Sequence, residues 1–290
     1  MHRRAFKSGL VLSVSALLAV VAAGAAATAP PLSADEVVAK NIAARGGLEA
    51  WRAVRSMSFS GRMEAGGKQN AELPFGMELK RPRKSRVEID FAGDRALQVY
   101  DGQSGFKLRP FLGRRDIEPF NAEEAKAASL ESDLDGPLVD YAAKGTTVEL
   151  EGSDKVEGRD TYKLKLTLKG GQVRHLWIDA QTFLEAKIEG APRRLDGKMR
   201  PVEIFYRDFR AVNGLKVPYV LESAVKGSKK THKMTIESVT INPDLEDSRF
   251  TRAALEVAPA KERPEPAVAR TPVPASGARQ LEDNRSTSAQ

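Results

Sequence analysis

The 290-residue sequence predicts a mainly β protein with covering helices, an α+β chain built on one antiparallel sheet. Three observations predict it. From Met57 onward, apolar and polar residues alternate with a period of two through one segment after another, as in strands with one dry and one wet face. Such alternation belongs to antiparallel sheets, because parallel strands covered on both faces read as continuous apolar runs. Helical periodicity is confined to two short stretches, residues 35–54 and 121–133.

The chain begins with a basic start (Arg3, Arg4, Lys7), an apolar run from Leu10 to Ala27, and small residues after it. This is the three-part pattern of a secretory leader. Cleavage fits after Ala27 or after Ala34. An uncleaved anchor is the alternative, since the run approaches the ~20 residues that span a bilayer. Its richness in Ala and Gly makes it weakly hydrophobic for that role. The organisation expected is a signal peptide over 1–34, one folded domain over 35–256, and a disordered Pro/Ala-rich tail over 257–290. The tail holds Pro259, Pro264, Pro266, Pro272 and Pro274 but few large apolar residues. It cannot bury enough surface to offset its ordering entropy.

Within the domain, Asp35 and Glu36 start a helix that carries Val37, Val38 and Ile42 on one side. Gly46-Gly47 breaks it, and a second short helix starts at Leu48. Strands follow at Met57–Met63, Phe75–Leu79, Val87–Phe91 and Leu97–Tyr100. Phe106–Ile117 reads as a loop around Pro110 and Gly113. Asn121 caps a helix over 121–133, with Ala125, Ala128 and Leu130 facing inward. Leu138–Ala143 reads as one or two further helical turns. The second half is a meander: Val148–Leu150, a turn at Gly152, Lys155–Glu157, Tyr162–Leu168, Val173–Asp179, Phe183–Ile188, Val202–Arg210, Leu215–Val225 and Lys230–Ile241. Asn213-Gly214 and Gly170-Gly171 are hairpin turns. The apolar phase slips between Ile236 and Val239, which predicts a bulge.

Composition excludes several classes. There is no cysteine, so disulfides, Cys-based zinc sites and an N-terminal lipid on cysteine are all excluded. The net charge of +7 includes three leader cations, which leaves about +4 for the remainder. No dense basic stripe with interleaved aromatics marks a nucleic-acid binder. Lys80-Arg81-Pro82-Arg83-Lys84 is the nearest approach. It reads as a solvated loop, or as a patch for anionic lipid head groups.

No catalytic constellation assembles. The histidines His175 and His232 lie in strands without metal-ligand spacing. There is no Gly-x-Ser-x-Gly elbow and no phosphate-binding P-loop. Asp133 with Asp135, and Glu149 with Glu151, read as solvated surface carboxylates, since nothing in the sequence near them would raise a pKa. The chain is therefore expected not to be an enzyme and to need no metal or cofactor. An envelope enzyme would require one histidine beside a carboxylate in a cleft.

The apolar stock points elsewhere. About ten strands spaced ~4.8 Å apart make a face nearly 50 Å wide. Two or three short helices cannot cover it. The spare surface is expected to hold a lipid-like ligand, with Phe59, Met77, Ile89, Leu166, Trp177 and Phe205 as candidate contacts on a concave face. Ordinary packing under the helices is the competing role for each residue.

Several segments in order resemble one family. They are Ala44-Arg45-Gly46-Gly47-Leu48-Glu49-Ala50-Trp51, Tyr100-Asp101-Gly102-Gln103-Ser104-Gly105-Phe106, Pro110-Phe111, Glu118-Pro119, and Glu131 through Tyr141. Val156-Glu157-Gly158, Trp177-Ile178-Asp179, Asn213-Gly214 before Pro218, and Ile241-Asn242 before Phe250 continue the match. Together they are similar to bacterial outer-membrane lipoprotein-sorting proteins of the LolA/LolB-like superfamily, over roughly residues 35–255. The resemblance implies an incomplete, strongly curved antiparallel barrel with helices plugging its concave side. It also implies a periplasmic carrier that shields the acyl chains of a lipid or lipoprotein, with an inner- or outer-membrane protein as a further partner. The alternative is an interaction or envelope-sensing module like the sigma-factor regulator RseB. That module would dock through strand edges or through residues 80–84.

Overall fold

The structure, a computed structural model, describes residues 32–65, 71–195, 198–228 and 230–256. Most of the expected leader and all of the expected tail lie outside the described residues. Helix α1 (Ala34–Ala44) begins at Ser33, whose hydroxyl and whose N–H both engage Glu36 in a capping box. The expected boundary after Ala34 therefore falls inside the first turn of α1. Gly46 and Gly47 end α1 with positive φ, and α2 (Leu48–Arg52) follows. A Cβ on Gly46 would lie 2.5 Å from the Gly214 carbonyl oxygen. Glycine there lets the helix break press against the Asn213-Gly214 turn.

Thirteen strands follow, more than the ten or so expected. They are β1 (Ser56–Glu64), β2 (Glu72–Lys80), β3 (Lys84–Phe91), β4 (Asp94–Tyr100), β5 (Gly105–Arg109) and β6 (Arg114–Pro119), then β7 (Thr147–Val156), β8 (Arg159–Thr167), β9 (Val173–Asp179), β10 (Glu185–Leu195), β11 (Lys198–Val212), β12 (Leu215–Val225) and β13 (Thr231–Ile241). Their order in the sheet is β6-β5-β4-β3-β2-β1-β13-β12-β11-β10-β9-β8-β7, with antiparallel neighbours throughout. Two meanders thus join where β13 returns beside β1. The sheet does not close, and β6 and β7 are its two edges. This is the antiparallel sheet with helices that the residue pattern predicts, in the incomplete-barrel form that the resemblance implies.

Four local expectations are corrected. Phe106–Ile117 is not a loop but β5 and β6, joined by a 3-10 turn at Pro110–Leu112 that tolerates the proline. Gly152 does not end a strand. It sits at a register shift between Leu150 and Gly152 inside one continuous β7. Leu138–Ala143 forms turns rather than helix. Helix α3 (Ala122–Glu131), capped by Asn121 as expected, buries none of its residues. The bulge expected near Ile236–Val239 is present: Ser60 faces Ser238 while Gly61 faces Ile236, so Glu237 is extra.

The sheet has an inner, helix-covered face and an outer face. Inside, one cluster joins Trp51, Val54, Met57, Phe75, Leu134 and Val139, and a second joins Val37, Val38, Leu138, Leu164 and Ile178. Sidedness reverses at β4. Leu97 pairs with outward-facing Glu88, and it packs outside with Val99 and Leu255 of the short helix α4 (Ala253–Glu256).

After β13, the chain straps the outer face. Asp247 binds Lys80 at 2.7 Å and Lys84 at 2.6 Å, and Arg249 binds Glu78 at 2.6 Å. The basic run 80–84 is therefore neither a solvated loop nor a free patch. Arg81, which precedes Pro82 in a cis peptide bond, donates to the carbonyls of Val54 and Trp51. Arg83 donates to that of Ser129.

Candidate functional site

The register decides which of the six candidate residues meet. Residues directly opposite in an antiparallel pair share a face. Phe59 pairs with Met77, and Phe75 with Ile89, so Phe59, Met77 and Ile89 stand together on the inner face beneath Trp51 and Val54. Leu166 is inner as well, 1 % exposed in the neighbouring cluster under α1.

Trp177 and Phe205 do not join them. Trp177 pairs with Lys163 while Leu164 pairs with Leu176, which sets Trp177 on the outer face. Phe205 pairs with Lys187 and lies in the same outer cluster as Trp177, Val156 and Ala186. That island is held by polar neighbours. The Trp177 indole donates to Asp154 at 2.8 Å, and the Lys187 ammonium lies 3.8 Å from the ring centre. Strand alternation alone places Trp177 opposite Leu176 and Ile178, so the signal was present in the sequence. Large apolar residues on both faces of β9 obscured it.

A ladder of charge crosses the inner face between the two apolar clusters. The Arg45 guanidinium lies 4.2 Å from the Trp51 ring, 3.2 Å from Glu185, and donates to the Asp135 carbonyl at 3.0 Å. The Asp135 carboxylate is 1 % exposed and accepts from Arg81 at 2.7 Å and Lys144 at 2.6 Å. Lys144 also binds Asp133 at 2.9 Å. Arg45 Nε, Glu185 Oε2 and Asn41 Oδ1 are buried without a hydrogen-bond partner among the described residues.

The carboxylates titrate apart. Burial pushes Asp133 up to about 6, against the attraction of Lys144. For Asp135 burial acts in the same upward direction, but hydrogen bonds from Asp133, Lys144 and Arg81 outweigh it and hold the group below its ordinary value. The expectation of a solvated, unshifted pair is thus corrected. The segment after α3 folds Asp133 and Asp135 inward, where Lys144 and Arg81 meet them from the chain ahead and from the β2–β3 turn.

Beside this ladder a cavity of 480 Å³ opens between α3, residues 133–146 and the β8–β9 hairpin. Arg83, Lys126, Lys144, Lys169 and Arg174 line it with Asp133, and Leu130, Pro137 and Leu168 supply apolar wall. Sequence reasoning missed it because its residues come from three separated stretches, at 83, 126–146 and 168–174. A second hollow of 320 Å³ lies by Glu185, Tyr206 and Arg207, where burial pushes the Tyr206 hydroxyl up to about 12.

His175 does stand beside carboxylates, with Nδ1 2.7 Å from Glu189 and Nε2 3.4 Å from Glu151. It sits on the outer face beside Trp177 and lines neither cavity. Among the described residues, no group of His, Cys, Asp and Glu is placed to hold a metal, and no helix is long and apolar enough to cross a membrane.

No protein-family model matches the chain, and no curated protein matches it. Solved structures do. An outer-membrane lipoprotein-sorting protein domain from Vibrio parahaemolyticus aligns with a TM-score of 0.52 at 12 % identity, over 76 % of this chain and 97 % of that one. A LolA superfamily protein from Nitrosomonas europaea gives 0.52 at 16 % identity, over 77 % and 100 %. A DUF1329 family protein from Desulfovibrio piger gives 0.52 at 15 % identity, over 77 % and 98 %. The chain shares its fold with these three proteins.

Proposed function

We propose that this protein is an exported, periplasmic lipid-binding module that shields acyl chains against the inner face of its open sheet. One observation carries this: a broad apolar inner face closed by a thin cover. Helix α1 has eleven residues, α2 has five, and α3 buries none of its own. Such a cover can part where a fully packed core cannot. Phe59, Met77, Ile89 and Leu166 form the surface that acyl chains would meet, while Trp177 and Phe205 serve the outer face. The process is passive. At about 0.8 kcal/mol per buried CH₂, one long chain supplies a useful affinity without chemistry.

Native mass spectrometry of the purified protein tests this, together with displacement of a fluorescent fatty-acid probe. Co-purifying lipid that the probe competes with is the expected result. Protein that carries no lipid and binds no probe overturns the proposal. A module that only docks on a membrane protein is the second reading, and the two free sheet edges favour it over residues 80–84. Strand addition at β6 or β7 would be its mode. Capture of a membrane protein by lipid-free chain would support it.

A further inference from the structure

Four of the five cations that line the 480 Å³ cavity stand outside any ion pair among the described residues, and two of these, Arg83 and Arg174, are half-buried. Buried or half-buried cations are normally paired with carboxylates, because an unpaired one bears its desolvation alone. Lys144 is paired with Asp133 and Asp135. Arg83, Lys126, Lys169 and Arg174 form no ion pair with a carboxylate among the described residues. Arg83 and Arg174 each give a donor to a backbone carbonyl, of Ser129 and Glu189. Glu131 and Glu189 attract Arg174 without forming an ion pair with it.

The four come from four places: the β2–β3 turn, α3, the β8–β9 turn and β9 itself. A like-charged patch on one helix face is ordinary surface. Four cations brought from separate elements onto one concavity repel one another, and the fold holds them together nonetheless. An anion between them would turn that repulsion into attraction, most strongly where the walls exclude water. The volume lies within the usual range for small-molecule sites. The inner wall is continuous with the lipid-facing row, since Leu168 follows Leu166 at a two-residue step along the β8 direction.

We propose that this cavity binds the anionic head of an amphiphile, a phosphate- or carboxylate-bearing group, while the apolar part runs along Leu168 and Leu166 toward the inner face. The assignment rests on the lipid-binding function proposed above and names the class of lipid.

Calorimetric titration of the purified chain with three soluble probes tests it: dihexanoyl phosphatidic acid, dihexanoyl phosphatidylcholine and inorganic phosphate. The phosphatidic acid should bind at least tenfold tighter than the net-neutral phosphatidylcholine, and more tightly than phosphate alone. Raising the salt concentration should shrink the preference. Lys126 and Lys169 are exposed, so the double variant Lys126→Gln/Lys169→Gln keeps the fold, which an unchanged melting temperature verifies. It should lose the preference for the phosphatidic acid over the phosphatidylcholine. Adding Arg174→Gln should weaken the anionic probe further.

Equal binding of the two lipids by the unmodified chain overturns this inference while the lipid-binding function stands. So does a double variant that keeps the preference. Inorganic phosphate binding as tightly as phosphatidic acid, with phosphatidylcholine silent, would leave a bare anion site and overturn both. No binding of any probe also overturns both.

Discussion

Replacing Asp135 by Asn tests the charge ladder directly. The carboxylate is fully enclosed and accepts from Arg81 at 2.7 Å and from Lys144 at 2.6 Å. Removing one member of a buried ion pair typically costs about 3–5 kcal/mol, because the partner is left uncompensated. Here the partners keep other acceptors. Lys144 retains Asp133 and the Gly136 carbonyl, and Arg81, a third of which is exposed, retains the carbonyls of Val54 and Trp51. The loss should therefore fall to about 2–3 kcal/mol. Equilibrium urea unfolding at pH 7 reads this as a midpoint lowered by about 1–1.5 M, for a slope of roughly 2 kcal/mol per molar.

Asp133→Asn is the matched control. Burial pushes Asp133 up to about 6, so the fold disfavours its charge. Its neutral replacement should be at least as stable as the parent at pH 7. The sign of the pH dependence follows. A folded-state pKa above the unfolded one means that the folded chain holds the extra proton between about 4 and about 6. The parent's stability from this group is thus full below that window and declines as pH rises through it. The Asn variant lacks the decline. A midpoint shift below about 0.3 M for Asp135→Asn, or equal costs for the two variants, would refute the assignment of roles.

Three further outcomes are expected. Ser33→Ala should cost about 1 kcal/mol by removing the α1 cap, and N-terminal sequencing of exported protein should find Ser33 retained, with cleavage after Ala27; a mature chain starting at Asp35 would contradict the cap's importance. Gly61→Ala should cost about 1–3 kcal/mol by overpacking, because its Cβ would sit 2.1 Å from the Thr235 carbonyl oxygen beside the bulge; an unchanged melting temperature would sink that account. Hydrogen bonds from Lys80 and Lys84 hold Asp247 down at about 2, so the outer strap should be secured above about pH 4 and loosen as pH falls toward 2; hydrogen exchange over residues 243–256 that stays flat across this range would contradict it.

Much of the fold was legible because alternation reports a half-buried strand wherever one face is wet. The α1 break at Gly46-Gly47, the Asn121 cap and the bulge near Glu237 could all be read locally. What failed were places where long-range pairing outvotes local signals. Pro110 and Gly113 suggested a loop, yet β5 and β6 form because Phe106 and Lys107 find partners at Pro119 and Glu118. The site was half legible. Phe59, Met77, Ile89 and Leu166 share the inner face, whereas Trp177 and Phe205 were misplaced because hydrophobicity was weighed above parity along the strand. The basic cavity and the buried Asp135 had no local signature, since each is made by residues tens of positions apart.

The strength of the cover decides whether a ligand can reach the inner face, and that strength is uneven. Val37 and Val38 on α1, and Trp51 on α2, are fully buried; each such side chain contributes about 1.5–3 kcal/mol against opening. Helix α3 has no such anchor. It is held by its cap, by Lys107 pairing with Glu124, and by Arg83 reaching the Ser129 carbonyl. Charged contacts of this kind add little net stability beyond specifying geometry. The part of the cover that moves should therefore be α3, the same element that walls the basic cavity. An arriving anion would compete for Arg83 and so loosen α3 where the ligand must pass. Native-state hydrogen exchange separates the two helices. Amides of α3 should open by local fluctuation, far below the free energy of global unfolding, while those of α1 should exchange near the global limit. Protection in α3 equal to that in α1 would mean that the cover does not part there, and the route beneath α3 would have to be abandoned.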